Sequence, residues 1–199
     1  MSHIFVGLGN PGSEYQGTRH NTGRMLLEWF GESQNAEWKL DKKLNAQTAK
    51  IKIGKMAVAL ILPETFMNNS GKSVKALFPI GLAYGKLVEK LMVIYDDLDL
   101  PFGSTKISFN KSSGGHKGLE SIIKAIKTEK FARIRIGISP ASPSGKIRKP
   151  QGEENVMKVI LGKFKTNEIT ELKKLSKKVN MALKTFVTSG LEKAMTEFN

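Results

Sequence analysis

Apolar residues fall along this chain in two alternating patterns. Runs that are apolar almost throughout, His3 to Val6, Met56 to Leu62 and Leu91 to Tyr95, predict strands covered on both faces of a sheet. Between them, apolar residues recur every three or four positions. Leu119, Ile122, Ile123 and Ile126 make one helix face; Leu172, Leu175, Val179, Ala182 and Leu183 make another within a long amphipathic helix over 166–189. A helix over 22–31 is expected to start at Asn21 or Thr22 and stop at Gly31. Ala49, Ile51 and Ile53 alternate with polar residues, and Gly54-Lys55 turns that segment into the 56–62 run as a hairpin.

A further helix should begin near Ser70, and a strand over 105–109 carries Lys106. Residues 131–138 alternate isoleucine with Arg133 and Arg135, which predicts a strand with one core face and one basic face. Ser139 to Asn155 is rich in Ser, Pro, Gly and Lys and is expected to be a mobile basic loop. Gly190 ends the long helix, and a last short helix follows. Strands alternating with helices, with one hairpin inserted, predict an α/β fold: a single three-layer domain over 1–199, a twisted mixed β-sheet flanked by helices.

Composition narrows what such a domain does. Hydrophobic content of 40% and charged content of 25% are those of a globular protein. No apolar run approaches the length of a membrane span, and the N-terminus has no basic region or cleavage site, so a cytoplasmic location is expected. With no cysteine, disulfides, thiolate nucleophiles and cysteine-ligated zinc are excluded together. The net charge of +14 points to a polyanionic partner, most often nucleic acid.

Three motifs invite readings that their context refuses. Gly7, Gly9 and Gly12 match the dinucleotide pattern after a strand, but Asn10-Pro11-Gly12 is a turn signal where the phosphate-binding helix should begin. The second strand with its terminal acid is missing too. Gly71-Lys72-Ser73 resembles the end of a P-loop, but Phe66 stands where its first glycine belongs. Asp96, Asp97 and Asp99 could suggest a divalent metal, yet Leu98, Leu100 and Pro101 between and after them read as a turn. Asp96 is instead expected beyond the carboxyl end of a strand, where α/β sheets present functional groups.

The chemistry left is narrow. His20 is one of only three histidines and sits in the polar turn Gly17-Thr18-Arg19-His20-Asn21-Thr22-Gly23, just before an apolar helix. Strand exits supply Asn10, Asn68 and Asp96, and a glycine-rich loop ending at a helix N-terminus supplies His116 and Lys117. There is no G-x-S-x-G elbow and no H-E-x-x-H pair, which disfavours serine and zinc hydrolases. A histidine oriented by an aspartate can activate water, and asparagine amides can donate to a developing oxyanion. Attack of water on an activated ester or other acyl compound, on a polyanionic carrier, is the reaction these parts suit.

The residues at 5–23 (FVGLGNPGSEYQGTRHNTG), 63–74 (PETFMNNSGKSV), 93–103 (VIYDDLDLPFG), 114–119 (GGHKGL) and 133–138 (RIRIGI) resemble those of bacterial peptidyl-tRNA hydrolases, in the same order and over nearly the whole chain. The resemblance implies hydrolysis of the ester between a peptide and the 3′ ribose of tRNA, which recycles tRNA in translation, by a monomer that needs no metal and no cofactor. It makes His20 the base and Asp96 its orienting acid, and has Asn10 sense the blocked amino group of the substrate. Tyr15, Phe66, Met67 and Asn68 would line the cleft for the peptide and the terminal nucleotide, while Lys106 and Arg135 would meet tRNA phosphates.

Two positions depart from the pattern. Ser108 stands where a lysine is common, and Lys117 where the family usually has asparagine. Lysine can donate to an oxyanion but cannot accept a hydrogen bond from water, and its charge is expected to lower the basicity of His20. The loop over 139–155 is also longer than the resemblance predicts. Two other readings compete. A non-catalytic RNA-binding protein on this fold would bind tRNA and release no peptide, but the set His20, Asp96, Asn10 and Asn68 argues against it. A nucleotide-dependent enzyme would rest on the glycines at 7, 9 and 12.

Overall fold

A computed structural model describes residues 2–78, 84–140, 147 and 149–199. Among the described residues, seven strands form one sheet in the order β2-β3-β4-β1-β5-β7-β6. β1 (His3–Gly7) lies parallel between β4 (Met56–Pro63) and β5 (Leu91–Pro101), and β7 (Ala132–Ser139) continues the parallel set. β3 (Ala46–Ile53) is the hairpin partner of β4, with β2 (Lys39–Asp41) outside it, and β6 (Thr105–Phe109) runs antiparallel to β7. The sheet is mixed, as the inserted hairpin predicts.

Helices cover both faces. Phe5, Leu60, Met92 and Ile134 point to the side of α1 (Thr22–Ser33), α5 (Glu153–Leu161), α6 (Thr166–Ser189) and α7 (Leu191–Phe198). Val6, Ile61 and Val93, on the opposite pleat, pack with α2 (Ser70–Ala76), α3 (Tyr84–Val88) and α4 (Lys117–Ile126). Residues one apart on β1 thus feed separate cores, which is why its run is apolar without alternation. Among the described residues, no helix is long and apolar enough to cross a membrane.

Three expectations need correction, and one strand was not expected. β5 does not stop at Tyr95: Asp96 and Asp97 pair with Ile136 and Gly137 of β7, with a register shift between Asp97 and Pro101. β1's ladder ends at Gly7, opposite Ile94, so Asp96 stands just beyond its neighbour's end rather than its own. The acids are tolerated inside a strand because each has cationic or N–H partners.

The segment over 139–155 runs into α5 at Glu153; its residues 141–146 and 148 lie outside the described residues. The short strand β2, with no apolar alternation of its own, gives no signal in the sequence. Finally, β7 has no free basic face. Arg133 is fully buried, donates to the carbonyls of Ser112 (2.9 Å) and Glu129 (3.3 Å) and lies over the Phe131 ring, while Arg135 is tied to Asp97.

Candidate active site

The site is built where β1 hands the chain to α1. Leu8 donates its N–H to the Ile94 carbonyl (3.0 Å) and accepts from Arg24 (2.8 Å), which clamps strand exit, helix start and β5 together. That approach explains the glycines. A Cβ on Gly23 would lie 2.1 Å from the Ile94 oxygen, and one on Gly7 2.7 Å from the Gly23 oxygen. At Gly9 it would meet the Arg24 and Asn21 side chains. Gly7, Gly9 and Gly23 therefore serve the close packing of α1 on the strand exit.

Between β1 and α1 the turn Arg19–Asn21 carries His20, which is 7% exposed. Its flanks are pinned from afar. Arg19 pairs with Glu168 at 2.6 Å and lies over Phe164, and Gly17 accepts the Phe164 N–H at 2.9 Å. His20 Nδ1 lies 3.0 Å from both oxygens of Asp96, which is 2% exposed. From the other side, His116 Nε2 reaches the same carboxylate at 3.0 Å.

Proton positions follow from the partners. An ionised carboxylate only accepts, so His20 carries its proton on Nδ1 and keeps a lone pair on Nε2. His116 Nδ1 accepts the Leu119 N–H at 3.2 Å, capping α4, so its proton is on Nε2 and points at Asp96. Burial works to raise the Asp96 pKa, but the two imidazoles outweigh it and hold the acid far below the usual carboxylate range. Burial works to lower the pKa of His20; the charge and hydrogen bond of Asp96 outweigh that and raise it above its ordinary 6.5.

His20, Asp96 and His116 also bring ligand atoms within 4.8 Å of one another, a spacing that could hold a metal ion. The surroundings fit protons better. A metal on His116 Nε2 would leave Nδ1 protonated and facing the Leu119 N–H, two donors opposed, whereas metal-bound histidines give that proton to an acceptor.

Asn10, 8% exposed, is fixed at every point but one. Asn21 brackets its backbone, accepting the Asn10 N–H at 2.8 Å and donating to its carbonyl at 2.9 Å. The side-chain oxygen accepts the Met67 N–H at 2.7 Å. The Asn10 NH2 group has no partner among the described residues. Asn10 therefore presents donors only.

Met67 is buried and links this corner to the histidines: a Cβ on Gly118 would lie 2.4 Å from its sulfur and 3.1 Å from His116 Cε1. Phe66 is 56% exposed and meets the edge of Tyr15, with ring centres 6.2 Å apart. Asn68 is exposed on the turn Met67–Asn69.

A cavity of about 260 Å³ adjoins His20 and Asp96, lined by Leu98, Val156, Met157 and Ile160 and rimmed by Lys117 and Lys149. Lys117 opens α4 with its ammonium exposed, 4.0 Å from Glu120. Lys117 is not among the causes that shift His20, whose pKa Asp96 raises. Lys106 is exposed, Arg135 is held by Asp97 at 2.7 Å, and the Ser108 hydroxyl is buried without a partner among the described residues.

The sequence puts His116 in the cluster without a role, and marks Asn21 only as a helix start and Arg133 only as part of a basic face. Asn21 lies beside His20 in sequence, which was the available signal. Nothing local marks Arg133 as the buried support of Ser112.

The family described as peptidyl-tRNA hydrolase has a sequence model that matches residues 4–199. A peptidyl-tRNA hydrolase of Aquifex aeolicus (strain VF5) is 38% identical over 196 residues, 98% of this chain and 95% of that protein. One of Prochlorococcus marinus (strain MIT 9515) is 37% identical over 196 residues, with the same shares covered. The crystal structure of peptidyl-tRNA hydrolase from Acinetobacter baumannii superposes with a TM-score of 0.85 at 31% identity, covering 100% of this chain and 94% of the other. By sequence over almost its whole length and by fold, this chain belongs to the peptidyl-tRNA hydrolase family.

Proposed function

We propose that this chain hydrolyses the ester of peptidyl-tRNA, the reaction its family is named for, with His20 as general base. The observation that carries the mechanism is the His20–Asp96 contact at 3.0 Å, which fixes the proton on Nδ1 and leaves Nε2 to take one from water. Asp96 then stabilises the imidazolium as it forms. His116 shares the carboxylate and holds it in place without competing for the water. The free donors of Asn10 suit the carbonyl that acylation adds to an amino group, and repel the ammonium of an unblocked aminoacyl ester, itself a donor. We read residues 1–199 as one hydrolase domain acting as a monomer in the cytoplasm, without metal or cofactor.

The test is release of N-acetylamino acid from N-acetylaminoacyl-tRNA, with unblocked aminoacyl-tRNA as control. Hydrolysis confined to the blocked substrate is expected; tRNA binding without hydrolysis would instead mark a binding module. The base must be neutral, so kcat/KM should rise with pH to a midpoint above 6.5, His20's pKa being raised. Stability runs the other way. A raised folded pKa stabilises the fold fully below the unfolded value near 6.5, and that increment is lost as pH rises through the folded pKa. Tm should therefore decline over the interval in which activity appears. A midpoint below 6.5 would contradict the pairing.

Lys117 enters as an oxyanion donor that must turn in from Glu120. Removing a preorganised donor costs roughly 10²–10³-fold in kcat. For Lys117→Ala we expect less, about tenfold, with the pH midpoint unmoved because Asp96 sets it. Unchanged kcat would remove Lys117 from the mechanism.

A further inference from the structure

The net charge of +14 is large, and the described arginines around the cleft are engaged within the fold. Arg19 is paired with Glu168, Arg24 with Glu28 and Glu64, Arg135 with Asp97 and Lys149 with Asp99, while Arg133 is buried. The surplus is conspicuous on α6. From Leu172 to Leu191 the chain holds five lysines, at 173, 174, 177, 178 and 184, and no acid. None of the five has an ion-pair partner among the described residues, and all but the half-buried Lys178 are exposed.

They share the face opposite Leu172, Val179, Leu183 and Phe186, which dock α6 on the sheet. Lys173 above Lys177 and Lys174 above Lys178 are like charges one turn apart, an arrangement that destabilises an isolated helix. An anion laid along the face would remove that repulsion.

Position gives the row its meaning. The first turn of α6 is fastened to the His20 turn through Glu168–Arg19 at 2.6 Å. Counting from Glu168 at 1.5 Å per residue, Lys173 lies about 8 Å along the helix and Lys184 about 24 Å. The positive strip therefore starts about 8 Å along the helix from the salt bridge that fastens α6 to the turn of the proposed general base, and runs on from there, as the duplex of a tRNA leads away from its esterified 3′ end.

We infer that the Lys173, Lys174, Lys177 and Lys178 face of α6, extended by Lys184, is a contact surface for the phosphate backbone of the tRNA duplex. The inference rests on the peptidyl-tRNA reading of the His20 site. It makes α6 a grip on the body of the substrate, separate from the groups that hold its reacting end.

The test compares wild type with Lys173→Gln/Lys174→Gln/Lys177→Gln/Lys178→Gln; glutamine keeps the helix propensity. Each is assayed on N-acetylaminoacyl-tRNA and on the short N-acetylaminoacyl-CCA fragment, and Kd for uncharged tRNA is measured from 50 to 200 mM salt. KM for the full substrate should rise about tenfold while the fragment is unaffected. The slope of log Kd against log salt should fall by roughly 2–4, at about 0.9 per lost phosphate contact. The four-arginine variant, which keeps the charge, should behave as wild type.

Unchanged KM and slope would overturn the inference. So would equal loss on both substrates, which would place the effect at the catalytic site or in folding. If wild type hydrolysed neither substrate the peptidyl-tRNA reading would fail, and the Kd comparison would still decide whether α6 grips RNA.

Discussion

Asp96→Asn is expected to lower kcat/KM on N-acetylaminoacyl-tRNA by about 10³–10⁴-fold, close to the loss from His20→Ala, with the fold intact. The size comes from proton placement. In the variant the asparagine oxygen goes to the position shared with His116, whose Nε2 proton needs an acceptor at 3.0 Å. The other position, also 3.0 Å from His20 Nδ1, then carries an NH2 group. Two donors cannot face each other, so the imidazole moves its proton to Nε2 and loses the lone pair that takes a proton from water. The charge that raises the His20 pKa also disappears, so the residual activity should titrate at lower pH than in wild type. A double variant, His20→Ala with Asp96→Asn, should be hardly worse than either alone, because residues that act as a unit are not additive. Near-wild-type kcat in Asp96→Asn would end the orienting role, whatever His20 does.

Asn10→Asp should change what the enzyme accepts more than how well the protein folds. The Met67 N–H keeps its acceptor at 2.7 Å, and the Asn21 bracket uses only the backbone of residue 10. What changes is the outward group, from an NH2 to a carboxylate oxygen. A carbonyl from the acylated amine then faces a like-signed acceptor, and kcat/KM for the blocked substrate should fall about 10²-fold. An ammonium finds an acceptor instead, so the preference for blocked over unblocked substrate should shrink by about 10³-fold or more. Asn10→Ala separates the effects: it removes the donor and adds no acceptor, so it should lose rate on the blocked substrate without gaining the other. If Asn10→Asp kept full preference for the blocked substrate, discrimination would lie elsewhere, with Asn68 the next residue to test.

The two predictions draw on different amounts of sequence information. The polar turn and the end of an apolar run marked His20 and Asp96 as candidates, and the family resemblance made them partners. The donor-only face of Asn10 was not legible, because it depends on which backbone group occupies the side-chain oxygen. That group, the Met67 N–H, lies 57 residues away. The arginines show the same limit. Alternation in 131–138 located the strand, yet Arg133 went to the interior and Arg135 to Asp97, so the expected basic face is spent on internal contacts.

By itself, then, the sequence determined the order of the main strands and helices, without β2, α3 and α5, together with the inserted hairpin and the long helix over 166–189, which the structure has at Thr166–Ser189. It did so because period and punctuation are local and survive without knowledge of neighbours. Tertiary structure decided the rest: that β5 runs on through Asp96 and Asp97, that His116 shares the carboxylate with His20, and that the glycines at 7, 9 and 23 exist for the approach of α1 to the sheet. A buried polar group takes whatever partner the fold brings within 3 Å. Across a sheet whose neighbouring strands are distant in sequence, no local pattern records that meeting.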